Sequence, residues 1–130
     1  MKRLCIAITC ALLASCQTSV PQSVANSQQP PSKELKAAIV QAARDVVFDP
    51  YSIRDAEISN VVLFNPRAGI QAICVKANAK NQFGGYTGRK ATGISIRNGM
   101  ILGATAGDPR CLDPRLRYQR FPELENLKNI

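Results

Sequence analysis

The residues best suited to binding chemistry are concentrated in a polar, glycine-rich stretch over residues 74–89. Consecutive backbone N–H groups in a glycine loop, beside cationic side chains, form a concave surface that can bind an anion or a sugar. Asparagine and glycine are also ordinary turn residues, so the alternative is a structural loop in which Asn81 bonds to the local backbone and Tyr86 packs over a sheet edge. The candidate binding residues are Lys76, Asn78, Lys80, Asn81, Gly84, Gly85, Tyr86 and Arg89.

Basic residues dominate the middle of the chain, where residues 58–107 include no acidic side chain. If residues 75–80 form a strand, alternation places Lys76, Asn78 and Lys80 on one face and the intervening valine and alanines on the other. A cationic face of this kind favours anionic partners, although it also serves simply to keep a small domain soluble. The six basic residues of this region are Arg67, Lys76, Lys80, Arg89, Lys90 and Arg97.

Several kinds of catalysis are excluded by composition. The chain contains no histidine, which removes imidazole as a general base and as a metal ligand. No Cys-x-x-Cys pair is present, and the acidic residues cluster near the predicted helix and in the tail, outside residues 58–107. We therefore expect no enzymatic activity, no metal and no cofactor, with a cell-wall or thiol enzyme as the least favoured alternative.

The first residues form a targeting signal. Lys2 and Arg3 precede an uncharged run of ten residues, 4–13, which is too short to span a bilayer and predicts a cleaved secretory signal over residues 1–15. The end of this run resembles the lipobox of bacterial lipoproteins, in which a diacylglycerol is attached to the cysteine that becomes the mature N-terminus. The matching residues are Leu13, Ala14, Ser15 and Cys16.

The lipobox resemblance implies lipidation of Cys16 and anchoring in the membrane by acyl chains such as palmitate. In proteobacterial lipoproteins an aspartate after the cysteine is typical of inner-membrane retention. Gln17 at that position therefore implies sorting to the outer membrane, with the domain in the periplasm. The alternative is an ordinary signal peptide in which the cysteine is incidental. Loss of Lys2 and Arg3 leaves 15 basic and 9 acidic side chains, a net charge of +6.

Two cysteines remain for a disulfide. Cys5 and Cys10 leave with the signal and Cys16 is acylated, so Cys74 and Cys111 are the natural pair in an oxidising compartment. A folded region of about 80 residues has a thin stability margin and benefits from such a covalent link. The alternative is a pair of buried free thiols.

The remaining sequence predicts an α+β domain. Residues 16–32, rich in Gln, Ser and Pro, are predicted to be a flexible tether. Helical spacing predicts a helix over about 33–47, with Ser32 as N-cap. β-branched runs predict strands at 56–64, 70–79, 90–97 and 100–105, with a hairpin turn at Asn98 and Gly99. We expect one N-terminal amphipathic helix on a small three- to four-stranded antiparallel sheet over residues 33–112. The tail, 113–130, is either an added edge strand or loose.

A second resemblance covers residues 49–88. Asp49-Pro50-Tyr51-Ser52 after a helix, followed by the Cys-x-x-x-Asn-Ala-Lys-Asn and Gly-Gly-Tyr-x-Gly strings, is similar to small proteobacterial envelope lipoproteins of unestablished function. The resemblance implies a compartment and a fold, with no catalytic residue.

The expected function is that of a non-enzymatic module at the outer membrane. Its partner would be an envelope protein or an anionic glycan or lipid, and no intracellular nucleic acid is expected. The alternative is an accessory subunit of a secretion or other envelope complex.

Overall fold

Six strands form one antiparallel sheet in the computed structural model, which describes residues 20–129. The strands are β1 (Arg54–Ser59), β2 (Val62–Asn65), β3 (Ile70–Asn78), β4 (Lys90–Arg97), β5 (Met100–Ala106) and β6 (Tyr118–Arg120). Their order is β5-β4-β3-β1-β6, and β2 pairs with the first residues of β3. The helices are α1 (Gln22–Asn26), α2 (Lys33–Val46) and α3 (Pro122–Glu125), with 3-10 turns at Pro50–Ser52, Pro109–Leu112 and Asn126–Asn129. The leader and Cys16, the predicted lipidation site, lie outside the described residues.

The predicted fold class, one N-terminal helix on a three- to four-stranded sheet, is wrong because the sheet has six strands. The run 56–64, predicted as one strand, is interrupted at Asn60 and Val61. Their N–H groups donate to the carbonyl oxygens of Arg117 (2.9 Å) and Gln29 (2.7 Å). The C-terminal tail supplies β6, which pairs antiparallel with β1. Both differences arise from partners that are distant in sequence, which local periodicity does not report.

The helix predicted over about 33–47 is confirmed as α2. The Ser32 side-chain oxygen accepts a hydrogen bond from the N–H of Leu35 at 3.1 Å, so Ser32 is the N-cap. Leu35 and Ile39 are buried in the core against the sheet. However, α2 is not the first helix of the described chain, since α1 precedes it.

The Asn98-Gly99 hairpin turn is also confirmed. Both residues have positive φ, 51° and 75°, as a two-residue turn between antiparallel strands requires. Arg97 and Met100 form the pair that closes it. Strand β4 has the predicted limits, and β3 and β5 each differ from the prediction by one residue at the C-terminal end.

The segment predicted as a flexible tether is partly built into the fold. Val24 and Ala25 of α1 are buried, and Gln29 forms an antiparallel bridge with Val61. The Gln28 side-chain amide also donates to the carbonyl of Arg115 at 2.9 Å. The composition argument failed for residues 20–32 because backbone and amide hydrogen bonds to distant segments stabilise a stretch that has little apolar surface of its own.

Side chains from the tail complete the core beneath α2. Phe121, Leu124 and Leu127 are at most 2% exposed. The Phe121 N–H donates to the carbonyl of Ala56 at 2.9 Å, and Glu125 Oε1 accepts the N–H of Ala56 at 3.0 Å. The tail is therefore a structural part of the domain. Among the described residues, the buried core lies within residues 24–127.

The face of the sheet opposite α2 carries the disulfide. Ile73 and Val75 of β3 point into the core beneath α2, and Cys74 between them points to the other side. Its sulfur lies 2.11 Å from that of Cys111, which is the predicted pairing. With a sequence separation of 37 between the two cysteines, such a link stabilises the fold by about 4 kcal/mol in the chain-entropy model.

On the same face, Gly93 of β4 is predicted to be intolerant of a side chain. A Cβ atom there would lie 2.1 Å from Asp108 Oδ2 and 2.9 Å from its Cγ. Asp108 cannot easily yield because it is 3% exposed and bonded to Arg110, whose backbone N–H and side-chain Nε lie 3.0 Å and 2.9 Å from Asp108 Oδ1. We expect Gly93→Ala to lower the free energy of unfolding by about 1–3 kcal/mol in urea titrations.

The matched control is Gly103→Ala in the neighbouring strand β5. A Cβ atom at Gly103 meets nothing within 4 Å, and Gly103 is the register partner of Ser95 in β4. We expect its free energy of unfolding to stay within about 0.5 kcal/mol of the wild type. Equal unfolding midpoints for the two variants would contradict the assigned contact between Gly93 and Asp108.

Candidate functional site

A groove of about 320 Å³ lies between α2 and the sheet. Its walls are apolar, and small side chains keep it open: Ala42 and Ala43 on α2 face Ala77 of β3 and Ala104 of β5 across the space. Val46, at the end of α2, also lines the groove and is 80% exposed, so an apolar side chain stands at its opening. We refer to this space as the groove.

The mouth of the groove is basic. Lys80 and Lys90 both line it and both are exposed, and none of the described residues that line it is acidic. Lys90 is the first residue of β4 and pairs with Ala77. Lys80 follows the end of β3, and its N–H donates to Ser52 Oγ at 2.8 Å. The two lysines therefore reach the groove from independently fixed pieces of backbone.

Tyr86 organises the cations beside the mouth. Its hydroxyl donates to the carbonyl of Ser52 at 2.7 Å, which fixes the ring at the edge of the sheet. The guanidinium of Arg54 lies 3.6 Å from the ring centroid, and Lys80 Nζ lies 5.8 Å from it. The quadrupole of an aromatic ring attracts such cations. Lys80 and Lys90, which both line the groove, are called the basic rim below.

Ser52 links the two halves of the motif on which the second resemblance rests. It ends the 3-10 turn Pro50–Ser52, where its hydroxyl donates to the carbonyl of Asp49 at 2.7 Å. From this position it accepts the N–H of Lys80 and the hydroxyl of Tyr86. The proline-containing turn thus positions the loop that carries Lys80.

The glycine loop has the geometry of a structural turn and does not form an anion cradle. Asn81 Oδ1 accepts the N–H groups of Phe83 (2.9 Å) and Gly85 (3.2 Å), and the Asn81 carbonyl accepts the N–H of Gly84 at 2.9 Å. Gly84 has φ 76°, a conformation that favours glycine. Since these three N–H groups are already donated within the loop, the geometry is that of the structural alternative. The contribution of Asn81 is to shape the turn.

Three other candidates lie on the opposite face of the sheet. Lys76 Nζ stacks over the ring of Tyr118 at 3.8 Å, and Arg89 forms an ion pair with Glu57. Asn78 is 7% exposed, and its Oδ1 has no hydrogen-bond partner within the described part of the chain. The structure therefore does not bring the eight candidates to one surface. Of them, Lys80 and Asn81 line the groove, and the ring centroid of Tyr86 lies 5.8 Å from Lys80 Nζ.

Tyr118 belongs to this structural face. Burial raises its pKa to about 12, and the nearby carboxylate of Glu57 acts in the same direction. Its hydroxyl donates to the carbonyl of Cys111 at 2.5 Å. Tyr118 is thus a neutral, fixed ring that holds Lys76 beside the disulfide, and Lys76 is less available to a ligand than Lys80 or Lys90.

Sequence reasoning missed the groove and the stacking of Arg54 on Tyr86. The helical pattern of α2 was visible, but a pattern of apolar positions does not show that the space beneath Ala42 and Ala43 stays unfilled. The acid-free stretch did include Lys90, yet its place at the groove mouth follows from its pairing with Ala77 in the folded sheet.

Comparison of the chain with protein families, with curated proteins and with solved structures gives no match. Within residues 20–129, no helix has the length and apolarity needed to cross a membrane. Among the same residues, no group of three or more cysteine or acidic side chains is placed to hold a metal ion. The groove and its basic rim are therefore the basis of the functional hypothesis.

The role of Asn81 in the loop yields a prediction. Asn81→Ala removes the acceptor for two N–H groups, each worth about 1 kcal/mol, so we expect amide hydrogen exchange at Phe83 and Gly85 to quicken by about fivefold. Asn81→Asp keeps a carboxylate oxygen in the same place and serves as the control, with exchange close to that of the wild type. Unchanged exchange in Asn81→Ala would show that the loop is held in another way.

Proposed function

We propose that this protein is an outer-membrane-anchored lipoprotein whose periplasmic domain is a non-enzymatic module that binds an anionic component of the envelope. The observation that carries the proposal is the basic rim at the mouth of an apolar groove that has no acidic lining residue among those described. Arg54 does not line the groove, and its guanidinium is stacked on the ring of Tyr86. Lys80 and Lys90 are therefore the principal ligand-binding cations in this proposal.

The length of chain between the predicted lipidation site and the fold supports a function close to the bilayer. Cys16 is four residues before Val20, and four extended residues span at most about 14 Å. From Val20 onward the chain is held by the fold, since Arg115 bonds to the carbonyl of Val20 and α1 follows directly. A lipidated Cys16 would therefore keep the domain near the lipid headgroups, where anions are concentrated.

The proposal predicts loss of binding when the rim lysines are neutralised. The chain starting at residue 17, which retains the whole described core, is mixed with vesicles that contain phosphatidylglycerol and with purely zwitterionic vesicles. Each lysine near an anionic surface contributes about 1 kcal/mol, so Lys80→Gln with Lys90→Gln should weaken binding by about 30-fold in sedimentation assays. Binding to zwitterionic vesicles should be weak throughout.

The control is Arg67→Gln with Arg97→Gln. This pair changes the net charge by the same amount and removes exposed arginines from the same acid-free region, but the two residues lie at the hairpin turns away from the groove. We expect it to retain most of the binding. Equal losses in the two double variants, or no preference for anionic vesicles, would refute a role for the basic rim.

A second candidate function, an accessory subunit of an envelope complex, is favoured by the outer edge of β5. Within residues 20–129, this strand is the last of the sheet and pairs only with β4, and its seven residues carry no charge. Met100 and Leu102 are 67% and 45% exposed. Uncharged edge strands of this length pair readily with an added strand.

This second candidate predicts a contact that can be trapped in intact cells. A photo-crosslinking residue at position 102 should give a discrete product of higher mass, and Thr105→Lys, which adds a charge to the same strand, should abolish it. The same residue at position 112, where the native leucine is 69% exposed on another surface, is the control. Identical products from positions 102 and 112 would argue against strand addition at β5.

A further inference from the structure

We propose that the groove holds the acyl chain of a single-chain anionic amphiphile, with its carboxylate or phosphate head between Lys80 and Lys90. This inference rests on the proposed function and names the class of ligand. It adds that the anion bound at the rim is the head of a molecule whose apolar part enters the domain. The groove and the rim then form one site with two chemically different parts.

The size and lining of the groove fit a single chain. Its volume, about 320 Å³, is near the lower end of the range of roughly 300–1,000 Å³ typical of small-molecule sites. If a methylene needs about the volume of one liquid water molecule, roughly 30 Å³, the groove accommodates about ten carbons. The walls are the apolar side of α2 and the facing side of β3, β4 and β5, which include Val75, Ile94 and Ile101. Such walls offer a chain contact along its length.

The charge at the mouth selects the kind of amphiphile. Lys80 and Lys90 are exposed, and within the described chain no acidic side chain lines the groove. A cationic head would be repelled there, and a ligand without a head group would leave both ammonium groups unused. An anionic head completes the site because its oxygens accept charge-assisted hydrogen bonds from both lysines while the chain remains in the groove.

The packing of α2 indicates that the groove is a space within the fold and can be blocked by substitution. Ala42 and Ala43 stand where larger residues would reach the sheet, while Leu35 and Ile39, earlier on the same helix, are buried in the core. The helix is therefore fixed to the core most firmly by its first half, and in its second half Ala43 still packs against the core while the small alanines leave the groove beside it. The exposed Val46 extends the apolar surface to the entrance.

The test is a chain-length series measured by calorimetry, with the chain starting at residue 17. The ligands are hexanoate, octanoate, decanoate and dodecanoate, with decyltrimethylammonium as the cationic counterpart. We expect affinity to rise about fourfold per methylene up to about ten carbons and then to level off, and we expect no binding of the cationic amphiphile in the same range. Equal affinity for decanoate and decyltrimethylammonium, or no dependence on chain length, would overturn the proposal.

Blocking variants locate the chain. Ala42→Phe fills the groove from α2, and Ala37→Phe places the same side chain at an exposed position of α2 that does not line the groove. Decanoate affinity should fall at least tenfold in the first and stay within twofold in the second. Ala104→Leu blocks the groove from the exposed strand β5, so the result does not depend on one helix substitution being tolerated. Equal affinity in all three variants would place the chain elsewhere and refute the inference.

The charge variant separates this inference from the proposed function. Lys80→Gln with Lys90→Gln should weaken decanoate binding about tenfold while preserving the fourfold increment per methylene. If decanoate does not bind but the same substitutions abolish binding to anionic vesicles, the inference fails and the proposed function stands. If decanoate binds in the groove but the lysine substitutions leave binding to anionic vesicles unchanged, the proposed function fails instead.

Discussion

Strand β3 has different surroundings on its two faces: one face packs beneath α2, and the other carries the disulfide. The rest of the fold is arranged around this strand. It pairs with β4 along most of its length, with β1 at one end and with β2 at the other. Where β1 and β2 meet, the ladder is interrupted, and Ser59 Oγ accepts the N–H of Cys74 at 2.8 Å in place of a backbone partner. This hydrogen bond satisfies the Cys74 N–H where the neighbouring backbone turns away to meet Gln29 and Arg117.

Periodicity predicted the parts of the fold whose causes are local. The cap at Ser32, the helix α2 and the Asn98-Gly99 turn each depend on residues a few positions apart. The contributions of the N-terminal segment and the tail were not visible because they depend on pairings such as that of Phe121 with Ala56. Composition alone does not distinguish a polar segment that forms hydrogen bonds to a distant strand from a polar segment that stays flexible.

In the candidate site, alternation along the strand predicts the face on which a side chain lies only as far as the strand extends. Alternation placed Lys76, Asn78 and Lys80 on one face, and this holds only while the residues belong to the strand. Strand β3 ends at Asn78, after which the chain bonds to Ser52 and Lys80 joins the mouth of the groove on the side of α2. The basic residues that were predicted to share one face are thus divided: Lys76 lies on the face that carries the disulfide, and Lys80 lies at the rim. The difference arises because strand β3 ends between them, at Asn78.

Acidic side chains lie on the face that carries the disulfide, where they pair with arginines. Glu57 pairs with Arg89, and hydrogen bonds from Arg110 lower the pKa of the Asp108 carboxyl beneath the strand that carries Gly93. Arg115 in the same way lowers the pKa of Asp113 to about 2. These carboxylates are ionised partners of arginines on the face that also holds the disulfide. An open groove lowers stability because its walls lack packing partners. The disulfide on the opposite face of the sheet offsets that loss, which allows the side facing α2 to remain open.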